Sequence, residues 1–175
     1  VFQRCQGRGG PVALHISAEK NCLSDGGVRA LVAALGSLMQ GAVAYPRYIS
    51  LFRNGIGDDG ALALASLLIF QACHPGCGGK RVLQELHLSH NQLTAHGAGA
   101  LITAARNAPY PYSHGVAKVP LWLRVEYNNI DHRLLPLTKH THCPASGQCR
   151  AVHCARPAVP PVHLPHLDFQ NFRSS

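Results

Sequence analysis

Aromatic residues, acidic residues and long apolar runs are all scarce in this chain, and each scarcity excludes something. Phe, Trp and Tyr make up 6% of the 175 residues, so the core has to be built mainly from Leu and Ala, as closely packed stacked units require. Only eight residues are acidic, and they are scattered. No two carboxylates stand paired for acid–base work, no other catalytic arrangement stands out, and no enzyme is expected. Gly7-Arg8-Gly9-Gly10 is not a phosphate loop, because no strand precedes it and no Lys-Ser/Thr pair follows. The longest largely apolar run, residues 61–70, is too short to span a bilayer. The seven cysteines are odd in number and irregularly spaced, which favours thiols or metal ligands over a secreted disulfide scaffold. The chain starts at Val1 rather than Met. The expectation is a processed or trimmed product, soluble or peripheral, inside a cell or organelle, with any targeting segment outside it.

What the chain does have is repetition. Leu86, Leu88, Asn91 and Leu93 form one pattern, and Gly97-Ala98 followed by Leu101 forms a second. The alternating leucines suit a short strand with one buried face. Ala98, Leu101, Ala104 and Ala105 recur at helical spacing, so a helix with one apolar stripe follows. Earlier copies read Ile16-Ser17-Ala18-Glu19-Lys20-Asn21-Cys22-Leu23 and Ile49-Ser50-Leu51-Phe52-Arg53-Asn54-Gly55-Ile56, and a later one Leu123-Arg124-Val125-Glu126-Tyr127-Asn128-Asn129-Ile130. In the first three copies a glycine stands six residues after the asparagine (Gly27, Gly60, Gly97), and the asparagines are 33, 37 and 37 residues apart. This order of strand, asparagine turn and helix resembles the leucine-rich repeat. The Gly-Ala-x-x-Leu helix start is similar to the ribonuclease-inhibitor-like subclass, also seen in Ran GTPase-activating proteins. That likeness carries no activity over, because the chain has no matching catalytic constellation.

The resemblance implies an α/β fold: a short leucine-rich repeat solenoid of about four repeats, with parallel strands on the concave face and helices on the convex face. Residues 1–12 should be an irregular lead-in, residues 13–134 the repeat domain, and residues 135–175 an extended Pro/His/Cys-rich tail. Val1, Phe2 and Val12 are candidates to cap the first repeat. Helices are expected near 25–38, 58–71 and 94–106, with Ser24 or Asp25 capping the first and Asp58 the second. The fourth repeat lacks the glycine and the helix pattern, and Pro136 blocks helix growth. Inserts at 41–46, 74–81 and 107–120 read as loops on one edge of the stack. The tail's hydrophobic residues suit either a cover over the open end of the solenoid or docking on another protein.

The asparagine ladder is read as structural, since an amide can satisfy backbone donors and acceptors from one turn to the next. The strand positions flanking the buried leucines should line up in three columns on the concave face. These are His15, Tyr48, Glu85 and Trp122; Ser17, Ser50, His87 and Arg124; and Glu19, Phe52, Ser89 and Glu126. Tyr48, Phe52, His87, Ser89, Trp122, Arg124 and Glu126 are the candidate protein-binding residues, several of them types enriched at interfaces. In the tail, Cys143-x5-Cys149-x3-His153 resembles the last three ligands of a CCCH-type zinc finger, a fold that commonly binds RNA. Leu134 stands where that family has its first cysteine. Cys154, His140 or His142 can supply the fourth ligand of a structural zinc, while a disulfide from Cys143 to Cys149 or Cys154, or free thiols, are the other readings.

The formal net charge is +8. It points to acidic partners, such as an acidic protein face, nucleic acid or anionic lipid. The expected role is a non-catalytic protein-interaction or scaffolding module, an accessory subunit of a larger assembly. Any membrane contact would be indirect, and no small-molecule substrate is expected. The alternative is RNA association through the zinc-finger-like tail.

Overall fold

In the computed structural model, which describes residues 10–73, 81–108, 110–114, 117–137, 142–143 and 159–165, three strand–turn–helix units follow one another. They are β1 (Val12–Ser17) with α1 (Asp25–Gln40), β2 (Ala44–Ser50) with α2 (Asp58–Cys73), and β3 (Glu85–His87) with α3 (Ala95–Asn107). A hairpin of β4 (Tyr112–His114) and β5 (Ala117–Val119) leads into β6 (Leu121–Arg124), and a 3-10 turn at His132–Leu134 comes next. Two short strands, β7 (His142–Cys143) and β8 (Val162–His163), complete the described elements. The main sheet runs β1-β2-β3-β6-β8-β7 with every pair parallel, so the fold is α/β with the helices as crossovers.

The core lies between sheet and helices. Ile49, Leu51, Leu86, Leu88, Leu123 and Val125 point into it from successive strands and are fully or almost fully buried. The helices differ according to their neighbours. α2 packs against both α1 and α3, and buried residues occur around much of it: Ala61, Leu64, Ala65, Leu67, Leu68 and Gln71. α1 packs against α2 and buries Val28, Leu35 and Met39. Val12 is partly buried against the core; Val1 and Phe2, the other expected cap residues, lie outside the described residues.

Each asparagine ties its own turn to the one before. Asn54 Oδ1 accepts from the Asn21 and Leu23 amides at 2.9 and 3.0 Å, and its Nδ2 donates to the Ala18 and Leu51 carbonyls at 2.9 and 3.0 Å. Asn91 repeats this with the Asn54 and Ile56 amides, both at 3.2 Å, and the Leu51 and Leu88 carbonyls at 2.9 and 3.0 Å. Asn128 accepts from Leu93 and donates to Leu88 and Val125. Among the described residues the Asn21 side chain donates within its own turn, to the Glu19 carbonyl at 3.0 Å.

A second ladder was not foreseen, and it corrects the expected caps. Ser24 makes no side-chain cap hydrogen bond to α1, and Asp25 and Asp58 serve the next helix rather than their own. Asp25 Oδ1 accepts from Gly57 and Gly60 at 2.7 and 3.0 Å. Asp58 Oδ1 accepts from Thr94 and Gly97 at 2.8 and 3.1 Å, while its Oδ2 takes the Thr94 hydroxyl at 2.6 Å. The donors are the free N–H groups of a helix start, which a neighbouring carboxylate can satisfy as well as a local cap. This contact explains the glycines: a Cβ on Gly97 would stand 2.4 Å from Asp58 Oδ1, and one on Gly60 2.7 Å from Asp25 Oδ1.

Three segments expected to be irregular are ordered. β2 begins at Ala44 and includes Pro46. The proline is tolerated because this half of the strand pairs only with β1 and is followed by a bulge at the Leu14/His15 step. The insert at 107–120 holds the β4–β5 hairpin, with Tyr110 buried and its hydroxyl donating to the Leu83 carbonyl. The described parts of the tail are extended, as expected from 135 onward, but they belong to the sheet. β8 pairs with β6, and Val162 and Leu164 are fully buried beyond it. The fourth repeat has the 3-10 turn where its predecessors have helices. Among the described residues no helix is long and apolar enough to cross a membrane.

Candidate binding face

Parallel pairing builds the expected columns on the sheet face turned away from the core. His15, Tyr48, Glu85 and Trp122 are register partners, and β8 extends this row to His163. Ser17, Ser50, His87 and Arg124 form the second row. The third, Glu19, Phe52, Ser89 and Glu126, is joined by the bonds of the following residues: Lys20 to the Phe52 carbonyl, Arg53 to Ser89 and His90 to Glu126.

The columns are not uniformly open, which corrects part of the expected surface. Tyr48, Phe52, Glu85, Trp122 and Arg124 are half-buried, whereas His87, Ser89 and Glu126 are buried, with 8, 1 and 6% of their surface exposed. The short and polar groups lie among larger neighbours. The Phe52 ring is 5.2 Å from the His87 ring, and the Arg124 guanidinium reaches Glu126 Oε1 at 2.6 and 3.0 Å. These polar groups are linked. Ser50 donates to Glu19 Oε1 at 2.6 Å and stands 3.4 Å from His87 Nδ1, and His87 Nε2 meets the Ser89 hydroxyl.

Burial and the nearby Arg124 hold the His87 imidazole below its usual pKa, against the pull of Glu126 and Glu19. Burial pushes the Glu85 carboxyl above the ordinary range, with Arg124 drawing it back. Glu126 Oε2 is buried and, among the described residues, has no hydrogen-bond partner. Aromatic groups pair on either side of Glu85 in the first row: His15 stacks on Tyr48 at 5.8 Å, and Trp122 meets His163 edge-on at 5.5 Å.

A fourth row was missed. Lys20, Arg53, His90 and Tyr127 each precede a ladder asparagine, and each has positive φ, between 53 and 58°. That left-handed conformation costs a non-glycine residue about 1 kcal/mol and turns the chain so that the asparagine amide points inward. All four are exposed. His90 stacks on Tyr127 at 4.3 Å, Phe52 meets His90 edge-on at 5.1 Å, and Lys20 lies 6.0 Å over the Phe52 ring. The signal was present in the repeat itself, as the position before each asparagine.

Cys143, Cys149, His153 and Cys154, the expected zinc ligands, have no described side chains. Among the described residues no group of three or more His, Cys, Asp or Glu could hold a metal ion. Cys22 and Cys73 are exposed free thiols.

A family model described as Leucine Rich repeat matches residues 47–65 and 79–101. Residues 47–101 therefore hold leucine-rich repeats, a unit that generally serves protein interaction and is typically non-catalytic. No curated protein matches the chain.

Proposed function

We propose that this chain is a non-catalytic binding module that engages a protein partner through the open face of its sheet, as an accessory subunit of a larger assembly. The observation that carries this reading is the half-exposed set Tyr48, Phe52, Trp122 and Arg124, which project from β2 and its following turn and from β6, the two strands that flank β3 in one sheet. Large rings and a guanidinium are the side chains that most often dominate interface energies. Held on strands whose turns are tied by the asparagine ladder, they lose little further freedom on binding, which favours affinity.

One flank of α3, uncovered among the described residues, supports the subunit role. Ala100, Thr103, Leu134 and Pro136 line a groove of about 630 Å³ there, and Leu134 is 71% exposed. Gentle purification followed by mass spectrometry of co-migrating proteins tests the proposal. A stoichiometric partner is expected, and Trp122→Ala should release it, with a loss of about 2 kcal/mol or more in affinity. A stable monomer with no such partner would refute it.

A further inference from the structure

The chain contains three glutamates and five aspartates, and the fold treats them differently. The described aspartates all have structural roles or ion pairs. Asp25 and Asp58 serve helix starts, Asp59 faces Arg29 at 3.6 Å, and Asp131 pairs with Arg133 at 2.9 Å. All three glutamates, Glu19, Glu85 and Glu126, stand in the columns of the open sheet face. Among the twelve column positions the only Lys or Arg is Arg124, and it is committed to Glu126 Oε1. In a chain of net charge +8, the column positions carry three carboxylates against one guanidinium, with Lys20 and Arg53 on the turn row beside them.

Two further features point to a cation. In the first row Glu85 stands on the strand between Tyr48 and Trp122, with neighbouring strands about 4.8 Å apart. A carboxylate flanked by two aromatic rings offers an ammonium or guanidinium both an ion pair and a π face. In the third row Glu126 Oε2 is buried and, among the described residues, has no donor; a carboxylate oxygen in that state favours an incoming N–H group.

We infer that the open face recognises a basic side chain, lysine or arginine, presented by the partner protein, with Glu85 between Tyr48 and Trp122 as its main contact and Glu126 as the second. This rests on the interaction reading above and specifies the partner's chemistry. It also reverses the expectation from net charge, since the partner would be basic where it meets the sheet.

Trp122 is the only tryptophan, so its fluorescence reports on the site. The full chain is titrated with acetylated Arg-Gly-Arg amide and its lysine counterpart, and with Gln-Gly-Gln and Glu-Gly-Glu amides as controls. The cationic peptides should give a saturable change that weakens with added salt, and the controls none. Glu85→Gln and Glu126→Gln should each weaken cation binding, Glu85→Gln by about tenfold, the size of a lost charge-assisted hydrogen bond. Equal response to the glutamate peptide, no response to either cationic peptide, or unchanged binding in Glu85→Gln overturns the inference.

The wild-type titration stands even if a variant fails to fold, and it does not depend on finding a partner. A co-purifying partner that Glu85→Gln does not release, together with silent cationic probes, would sink this inference and leave the interaction reading intact. Light scattering separates the occupants. A homodimer that Glu85→Gln splits would make the occupant a second copy and overturn the assignment to a foreign partner.

Discussion

Asn91 and Asn21 occupy the same place in their repeats, yet their energetic roles differ. Asn91 is 8% exposed and satisfies two amides of the preceding turn and carbonyls of two successive turns. Replacing it with alanine leaves those backbone groups buried and unpaired, and the expected cost is about 3 kcal/mol in urea denaturation. Asn21 is exposed and its side chain makes one local bond, so Asn21→Ala should cost under about 1 kcal/mol by the same measurement. Equal effects would mean the ladder is not what holds the turns together. Gly97 follows similar logic, since its missing Cβ is the space that Asp58 fills.

Among the helices, the aspartate ladder ties the start of each helix to the start of the one before. Asp25 prepares the start of α2, Asp58 prepares the start of α3, and the equivalent position opening α3 is Ala95. Among the described residues no α-helix follows the next turn, where Leu134 replaces the glycine of the earlier repeats. Burial raises the Asp58 carboxyl, but the Thr94 hydroxyl and the Thr94 and Gly97 amides outweigh it and hold the pKa below the usual range. The sign follows. On acidification through about pH 4 the unfolded chain takes up this proton first, so the stabilisation present above that pH is lost as pH falls through the lower folded value. Asp58→Ala should destabilise the fold by about 1–2 kcal/mol at pH 7. Denaturant midpoints of the two proteins should converge toward pH 3; a constant gap between them would assign the effect to packing instead.

For the molecule as a whole, the questions are how the repeat stack ends and how its charge is distributed. An open end of a solenoid exposes core, and here β8 covers the edge of β6 with Val162 and Leu164, both fully buried. If this segment is part of the fold, Leu164→Ala should cost about 2–4 kcal/mol in global unfolding. A tail merely resting on the surface would lose almost nothing. The charge distribution has the same whole-molecule character. Lys20 and Arg53 stand exposed on the turn rim beside a sheet face that holds every glutamate, so net charge describes neither surface.

The sequence by itself determined the repeat. Leucine spacing of two, an asparagine turn and the glycine six residues later each follow from local geometry, and they placed β3, α1, α2, α3 and the register of the columns. It also marked the break in the helix pattern after Asn128, where the 3-10 turn stands. Tertiary structure decided what depends on contact between distant residues. Asp25 and Asp58 are indistinguishable from local caps until the next helix is seen 32 to 39 residues further on. Pro46 reads as a loop residue until its half of the strand is found with one neighbour. The extended chain at 159–165 could not be assigned to the sheet from its prolines alone. His87, Ser89 and Glu126 alternate as exposed residues do, and only the rings and guanidinium of adjacent strands bury them. Periodicity reports which face a side chain takes, whereas its exposure is set by neighbours that sequence distance conceals.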